Sequence, residues 1–518
     1  MIRKLHTQAL LLACCVLGGA RAQTTLTATS LVERARERIG APAFVNARGF
    51  QLSGSLEARG LSSPFTMWVA ADGRYELLVE GRLPSFEGFD GTRAFRHDVG
   101  MGERTLVLGD RDEQLAQAWF VSPYWLLAQD RIELGGTGEL EVTLSGGPMR
   151  GTIAFDEQSG LPNTLSWGAG ESGGVLTWTG WKESAGVRFP TAWEQRGARG
   201  QVERYVVERV EPRAEPAARK QLPAALALDA RIVGDGGPIE VEQAPTGHLL
   251  VNPTIAGRDI GWFIFDSGAS VNVLSTPVAA REGYSGFGSE RVGGVGGTVD
   301  AQFVQPGELV LGPLHSPNAL FLTMDLAFLE VFLGREIVGV LGCPLLLAGT
   351  YELDMLPPRL AVHAPGKEPK FADPTPWQEL VVYRAHSCVY ASFEGGRRGL
   401  FTLDTGKGQG GVVFSSAAVS KLGLLEGRKV SDARVGGVGG FVSTKAGTIE
   451  WLELGGKRFE GVDAMFPDAV QGHVGDLYLT GTLSTKLLEP FTTLFDYTGK
   501  RIAFVPRAPS LAPAQPAK

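Results

Sequence analysis

The chain has 518 residues, of which 43% are hydrophobic, and carries 49 Lys and Arg against 56 Asp and Glu for a formal net charge of −7. That length admits about three domains, the apolar content excludes a wholly disordered chain, and the absence of any basic run argues against a nucleic-acid partner. The histidines (His6, His97, His248, His315, His363, His386 and His473) are scattered with no paired-Cys spacing, so neither a metal nor a cofactor is expected.

Arg3 and Lys4 precede an apolar run from Ala9 to Gly19, and Ala20-Arg21-Ala22 is a small-x-small cleavage site. Residues 1–22 therefore read as a secretory signal peptide, and the protein as periplasmic or secreted. The run is too short for a membrane anchor, and no other stretch has the length of a transmembrane helix. Leu11-Leu12-Ala13-Cys14 is an alternative, lipoprotein-type acylation site, although it leaves a very short apolar region before Cys14. Cleavage removes Cys14 and Cys15 and leaves Cys343 and Cys388. Export would permit a disulfide between them, but two buried free thiols are expected.

Residues 23–212 form the first predicted unit. Leu31 to Ile39 has the spacing of a short amphipathic helix. Alternating strands follow at Phe65–Val69, Arg74–Val79, Leu140–Leu144, Val175–Trp181 and Gln201–Val210, with Gly-rich turns between them. Seven of the ten tryptophans fall here: Trp68, Trp119, Trp125, Trp167, Trp178, Trp181 and Trp193. The order of helix, long antiparallel meander, Gly88–Gly91 turn and late strands ending in GVRFPTAWE resembles the LolA-like half-barrel of lipoprotein carriers. That resemblance implies a concave apolar face for a lipid, lipoprotein or apolar peptide segment; the other readings are that the aromatics only fill a curved core, which is the expectation, or that the unit covers the cleft of its neighbour.

Residues 213–235 read as a linker, since Glu211 to Ala230 is rich in Ala, Pro and charge. Beyond it the sequence repeats itself. Phe263 to Ser270 reads FIFDSGAS and Phe401 to Gly406 reads FTLDTG, each an apolar strand ending in Asp, a small hydroxyl residue and Gly. RVGGVGG occurs at Arg291–Gly297 and again at Arg434–Gly440. Leu309–Gly312 answers Leu452–Gly455, Val340-Leu341-Gly342 answers Leu479-Thr480-Gly481, and Tyr351–Val362 answers Thr493–Phe504. The landmarks keep their order at offsets of 138 to 143 residues, which marks an internal duplication. The copies are placed at 236–366 and 367–508, with a seam at Pro365–Pro376 and a Pro/Ala-rich tail at 509–518.

This series resembles the retropepsin-like aspartic proteases, and VGGVGGFV is similar to their flap. The resemblance covers roughly residues 236 to 508, with both halves in one chain as in the bilobal pepsins. It implies a mainly β protein in which two β-barrel lobes form a pseudo-dimer behind the half-barrel, a monomer in solution, and a peptide or protein as substrate. It implies Asp266 and Asp404 as a catalytic dyad sharing one proton, because two carboxylates so close cannot both ionise. Ser267 and Thr405 would interlock beneath them, Gly268 and Gly406 would let the backbones approach, and Gly293, Gly294, Gly296, Gly297, Gly436, Gly437, Gly439 and Gly440 would form mobile flap tips needing positive φ. The departures are Thr480 and Lys407. A cation at 407 would depress the dyad's titration unless its stem carries the ammonium to solvent, which is the expectation. The rival reading is a catalytically silent peptide or lipoprotein clamp.

Overall fold

The computed structural model describes residues 27–507 apart from 129, 137–138, 146–148, 169–172, 217–221, 372–374 and 469–471. The leader at 1–22 and the tail at 509–518 lie outside the described residues. Among those described, no helix is long and apolar enough to cross a membrane.

The N-terminal unit is a 13-stranded antiparallel sheet, a half-barrel with helices against one face. The first helix, Ala28–Ile39, starts where Thr27 Oγ1 accepts the Ser30 amide at 3.3 Å and stops at Gly40, whose φ is 83°. It buries Leu31, Val32, Ala35 and Ile39, the stripe its spacing predicts. A second long helix, Leu108–Val121, has no counterpart in the sequence reading. It lacks a side-chain cap and buries residues around most of its circumference, including Asp112, Gln114, Trp119 and Phe120, so it shows no amphipathic period. Trp119, Trp125, Trp167, Trp178 and Trp193 are buried in this core, as expected of packing residues rather than a ligand cage.

The segment expected to be a linker is partly docked. Gly100 N–H donates to the Ala225 carbonyl, and the Asp229 carboxylate accepts from Ser316 Oγ at 2.5 Å and from the Asn318 amide at 2.9 Å. Composition signalled an extended tether, but these polar contacts fix its second half.

The two lobes carry matching sheets. In the first, Phe263–Phe265 lies parallel to Gly339–Leu341, which runs antiparallel to Asn272–Ser275. In the second, Arg397–Asp404 lies parallel to Gly481–Ser484, which runs antiparallel to Val412–Phe414. Between the lobes, Thr350–Met355 of one copy pairs antiparallel with Phe491–Asp496 of the other inside a six-stranded sheet. One apolar cluster runs through all of this, joining Phe265, Leu353, Leu403 and Phe495. Burial of a continuous core makes the two copies one folding unit rather than two beads.

Strand register corrects one repeat. Phe263 pairs with Gly339 and Phe401 with Gly481, so Gly339–Gly342 is equivalent to Gly481–Ser484. The match of Val340-Leu341-Gly342 to Leu479-Thr480-Gly481 is out of step by three residues. Two apolar residues and a Gly form too short a pattern to fix register, which pairing to the Asp strand decides. Ser484 therefore stands at the position of Gly342, and Thr480 is no departure within the motif.

Candidate active site

Each Asp sits where a buried strand runs out. Phe263–Phe265 and Arg397–Asp404 bury their apolar side chains, and the chain then turns through Ser267-Gly268 or Thr405-Gly406. The two turns interlock below the carboxylates. Ser267 N–H donates to Thr405 Oγ1 at 2.8 Å and Thr405 N–H to Ser267 Oγ at 3.1 Å. The hydroxyls donate onward across the seam, Ser267 Oγ to the Leu403 carbonyl at 2.6 Å and Thr405 Oγ1 to the Phe265 carbonyl at 2.9 Å. Four reciprocal bonds between fully buried groups hold the two strand ends in fixed registry.

The glycines bring the carboxylates face to face. A Cβ on Gly268 would stand 2.5 Å from Asp404 Cγ, and one on Gly406 would stand 2.3 Å from Asp266 Cγ. Each loop thus leaves room for the other copy's acid. Asp266 Oδ1 accepts the Gly268 amide at 2.7 Å and the Gly406 amide at 3.1 Å. Burial and the neighbouring Asp404 push the Asp266 carboxyl well above the usual carboxylate range, and the two amides oppose that shift.

The flaps are two hairpins, Phe287–Gly293 with Thr298–Leu311 and Ser431–Gly437 with Gly440–Leu454. Their tips meet: Gly296 N–H donates to the Val438 carbonyl at 3.0 Å. The expectation of positive φ at the tips holds for Gly439 at 84°, as well as for Gly440 and Gly297 at 110° and 142°. Gly293, Gly294, Gly296, Gly436 and Gly437 lie outside that region and serve close approach instead. A Cβ on Gly294 would meet the Val438 carbonyl at 2.4 Å and one on Gly296 would meet Gly440 C at 2.3 Å; on Gly436 the Phe441 ring fills the space.

Lys407 is half-buried, and its stem folds back along its own loop instead of extending away from it. Its ammonium donates to the Gly411 carbonyl at 3.3 Å, and burial lowers it to about 8 against the pull of Asp404. Folding this side chain back along the loop gives the cation a backbone acceptor without placing it between the two acids. Cys343 and Cys388 are buried free thiols, pushed up by burial to about 11 and about 12.

Three histidines surround the site that sequence spacing could not assemble. His248 lies against the second loop, bonded through Nδ1 to Thr246 Oγ1 at 2.8 Å, with the Gly406 backbone and Asp404 within its field. His386 and His473 pair with ring centroids 5.2 Å apart. His473 bonds Thr402 Oγ1 at 3.3 Å and its amide donates to the flap carbonyl of Gly294 at 3.2 Å. Burial lowers both, His386 to about 3. The three histidines come from a loop, a strand and a 3-10 helix far apart in the chain, which left no local signal.

Residues 251–345 and 389–483 each match the family model described as aspartyl protease. The two matches fall one in each lobe, in tandem along the chain. Among solved structures, a LolA superfamily protein from Nitrosomonas europaea aligns at 13% identity over 37% of this chain and 96% of its own, with a TM-score of 0.26. An aspartic proteinase from Irpex lacteus aligns at 13% identity over 54% and 99%, with a TM-score of 0.35. A retropepsin-like aspartic protease from Rickettsia conorii aligns at 18% identity over 25% and 94%, with a TM-score of 0.19. At these scores the likenesses describe partial overlap and carry nothing about activity. No curated protein matches the sequence.

Proposed function

We propose that this protein is an exported aspartic endopeptidase that hydrolyses peptide bonds with a water activated between Asp266 and Asp404. The observation that carries this reading is the mutual placement of the acids, each occupying the space a Cβ would fill on the other copy's glycine. One carboxyl of the pair stays protonated because burial and a like charge disfavour its ionisation, as the raised Asp266 pKa indicates. The ionised member takes a proton from the water as its oxygen attacks the scissile carbonyl carbon, and the protonated member donates to the carbonyl oxygen. Collapse of the tetrahedral intermediate returns that proton to the acid and passes the other to the leaving amine. The proton belongs to the dyad and to neither residue alone. The touching flaps would close over an extended chain and exclude bulk water.

What supports catalysis over a silent clamp is that Lys407 bonds a backbone carbonyl instead of bridging the acids. Export is part of the proposal and rests on the leader at 1–22. The test is cleavage of a mixed peptide library from about pH 3 to about pH 8, beside Asp266→Asn and Asp404→Asn. Either substitution is expected to lower turnover by at least about 10²-fold with the fold intact. Near-normal turnover in either folded variant would end the dyad reading. Finding the chain in the cytoplasmic fraction with its leader uncleaved would end the export reading.

A further inference from the structure

The half-barrel is built onto the first flap. Ser289 N–H donates to the Arg59 carbonyl at 2.7 Å, Arg59 pairs with Glu290 at 2.7 Å, and the Arg82 guanidinium lies 3.6 Å from the Phe287 ring centroid. The turn at Gly197–Gln201 reaches the same hairpin, where Arg199 fills the space of a Cβ on Gly293. The opposite side of the half-barrel is tied to the second lobe, as Tyr478 OH donates to Asp112 at 2.8 Å and the Arg384 amide to Asp110 at 2.9 Å.

Between these attachments lies a cavity of about 1110 Å³. Its wall is shared by the half-barrel sheet, the first flap through Arg291 and Val292, and Ser270–Asn272, which begins two residues after Gly268. It is somewhat larger than the roughly 300–1,000 Å³ usual for small-molecule pockets. The wall is not that of a lipid site. Glu87, only 5% exposed, bonds Arg96 at 3.2 Å; Arg96 in turn bonds Asp98 at 2.8 Å, and Asp98 also pairs with Arg104. An acyl chain laid on these ions would remove their remaining water and return no hydrogen bonds, an unfavourable exchange. A polypeptide carries a donor and an acceptor at nearly every residue and offers side chains to the apolar stretches between, such as Leu56 and Leu77.

We propose that this cavity is a substrate vestibule, receiving the stretch of polypeptide on one side of the scissile bond, so that half-barrel and lobes bind one chain together. The proposal rests on the proteolytic reading and adds to it a substrate class: long or unfolded polypeptide in preference to short peptides. The half-barrel is then a part of the binding cleft and not a separate carrier of lipid.

The test compares the best-cleaved library peptide of about eight residues with versions extended by about eight more on either side. In the full wild-type chain, extension on one side is expected to lower KM by about tenfold with kcat little changed, and extension on the other side to do much less. Gln117→Trp and Val202→Trp put bulk into the cavity from half-buried positions remote from the acids. In either variant, folded by its melting transition, the extended peptide is expected to return to the short peptide's KM while the short peptide is unaffected. Equal KM values for short and extended peptides in the wild type, or an unchanged ratio in both folded variants, would overturn the vestibule. So would a fluorescent dodecanoic acid that binds the wild type, is displaced by the Trp variants, and competes with no peptide. If the wild type cleaves nothing, the proteolytic reading fails by itself. The vestibule is then read by calorimetry, as wild-type binding of a pool of about sixteen-residue peptides that is tighter than that of a pool of about eight and is lost in both Trp variants. Absence of that difference overturns it.

Discussion

Ser267 and Thr405 stabilise the site at the cost of having no alternative partners. Both are buried, and each hydroxyl accepts one amide and donates to one carbonyl of the opposite loop. Thr405→Val keeps the shape but strands the Ser267 amide and the Phe265 carbonyl in a dry environment. A loss of about 2–4 kcal/mol is expected, seen as a lower urea midpoint at unchanged slope, with Thr405→Ser much milder. Asp266 acts on stability in the opposite sense. Its pKa is raised above the ordinary 3.8, so between those two values the native state keeps a proton that the unfolded chain releases. Stability contributed by this group is therefore full below the ordinary value and falls as pH rises through that window. Asp266→Asn cannot ionise, so its melting temperature relative to wild type should climb as pH rises above the ordinary carboxylate value; a pH-independent difference would contradict the raised pKa.

The flaps work as a pair because their tips are bare backbone. Gly296 donates to the Val438 carbonyl, and the Gly439 position lies so close to Gly297 that a Cβ there would stand 2.6 Å from its amide nitrogen. No side chain fits between two strands at that separation. Gly296→Ala would push its Cβ against Gly440 C and part the tips, with little effect elsewhere in the fold. Global stability is expected within about 0.5 kcal/mol of wild type. The kcat/KM for a library peptide should fall about tenfold or more, as the closed cleft loses part of its enclosure. The two hairpins are not equivalent, however. The first is held by Arg59 and Arg82 of the half-barrel, whereas among the described residues the strands of the second pair with strands of their own lobe.

The molecule as a whole depends on a polar joint between half-barrel and second lobe. Arg384 sits in a two-residue hairpin turn with Ala385, their φ values 50° and 57°. Its guanidinium meets Glu113 and Asp110 of the Leu108–Val121 helix and Asp476 of its own lobe. Burial pushes the Glu113 carboxyl up to about 7 even with Arg384 beside it, so losing the arginine removes the paired cation from Glu113, Asp110 and Asp476 together. Arg384→Ala is expected to cost about 3 kcal/mol or more. In scanning calorimetry the half-barrel should then melt as a separate, earlier transition; a single unshifted transition would show the joint to be unimportant.

The duplication, the Asp-Ser-Gly and Asp-Thr-Gly turns and the Gly-rich hairpins were legible from residues alone, because each is a local requirement of backbone and chemistry. The same holds for the helix read at Leu31–Ile39 from its apolar stripe, although in the structure it starts three residues earlier at Ala28, behind the capping Thr27. Other features were decided only in three dimensions. The Leu108–Val121 helix hid because burial on most sides removes the period by which a helix is read. The fourth landmark is out of step by three residues because an apolar pair and a Gly cannot specify register, which parallel pairing to Phe401–Asp404 does. His248, His386 and His473 face groups supplied by distant segments, so their burial and titration follow from packing, whereas Lys407 bonds Gly411 of its own loop in a fold-back that composition alone does not show. The cavity shared by half-barrel and first flap is likewise a property of how two units with separate sequence patterns meet. Local chemistry is written in consecutive residues; contacts between surfaces distant in the chain are set by the fold that brings them together.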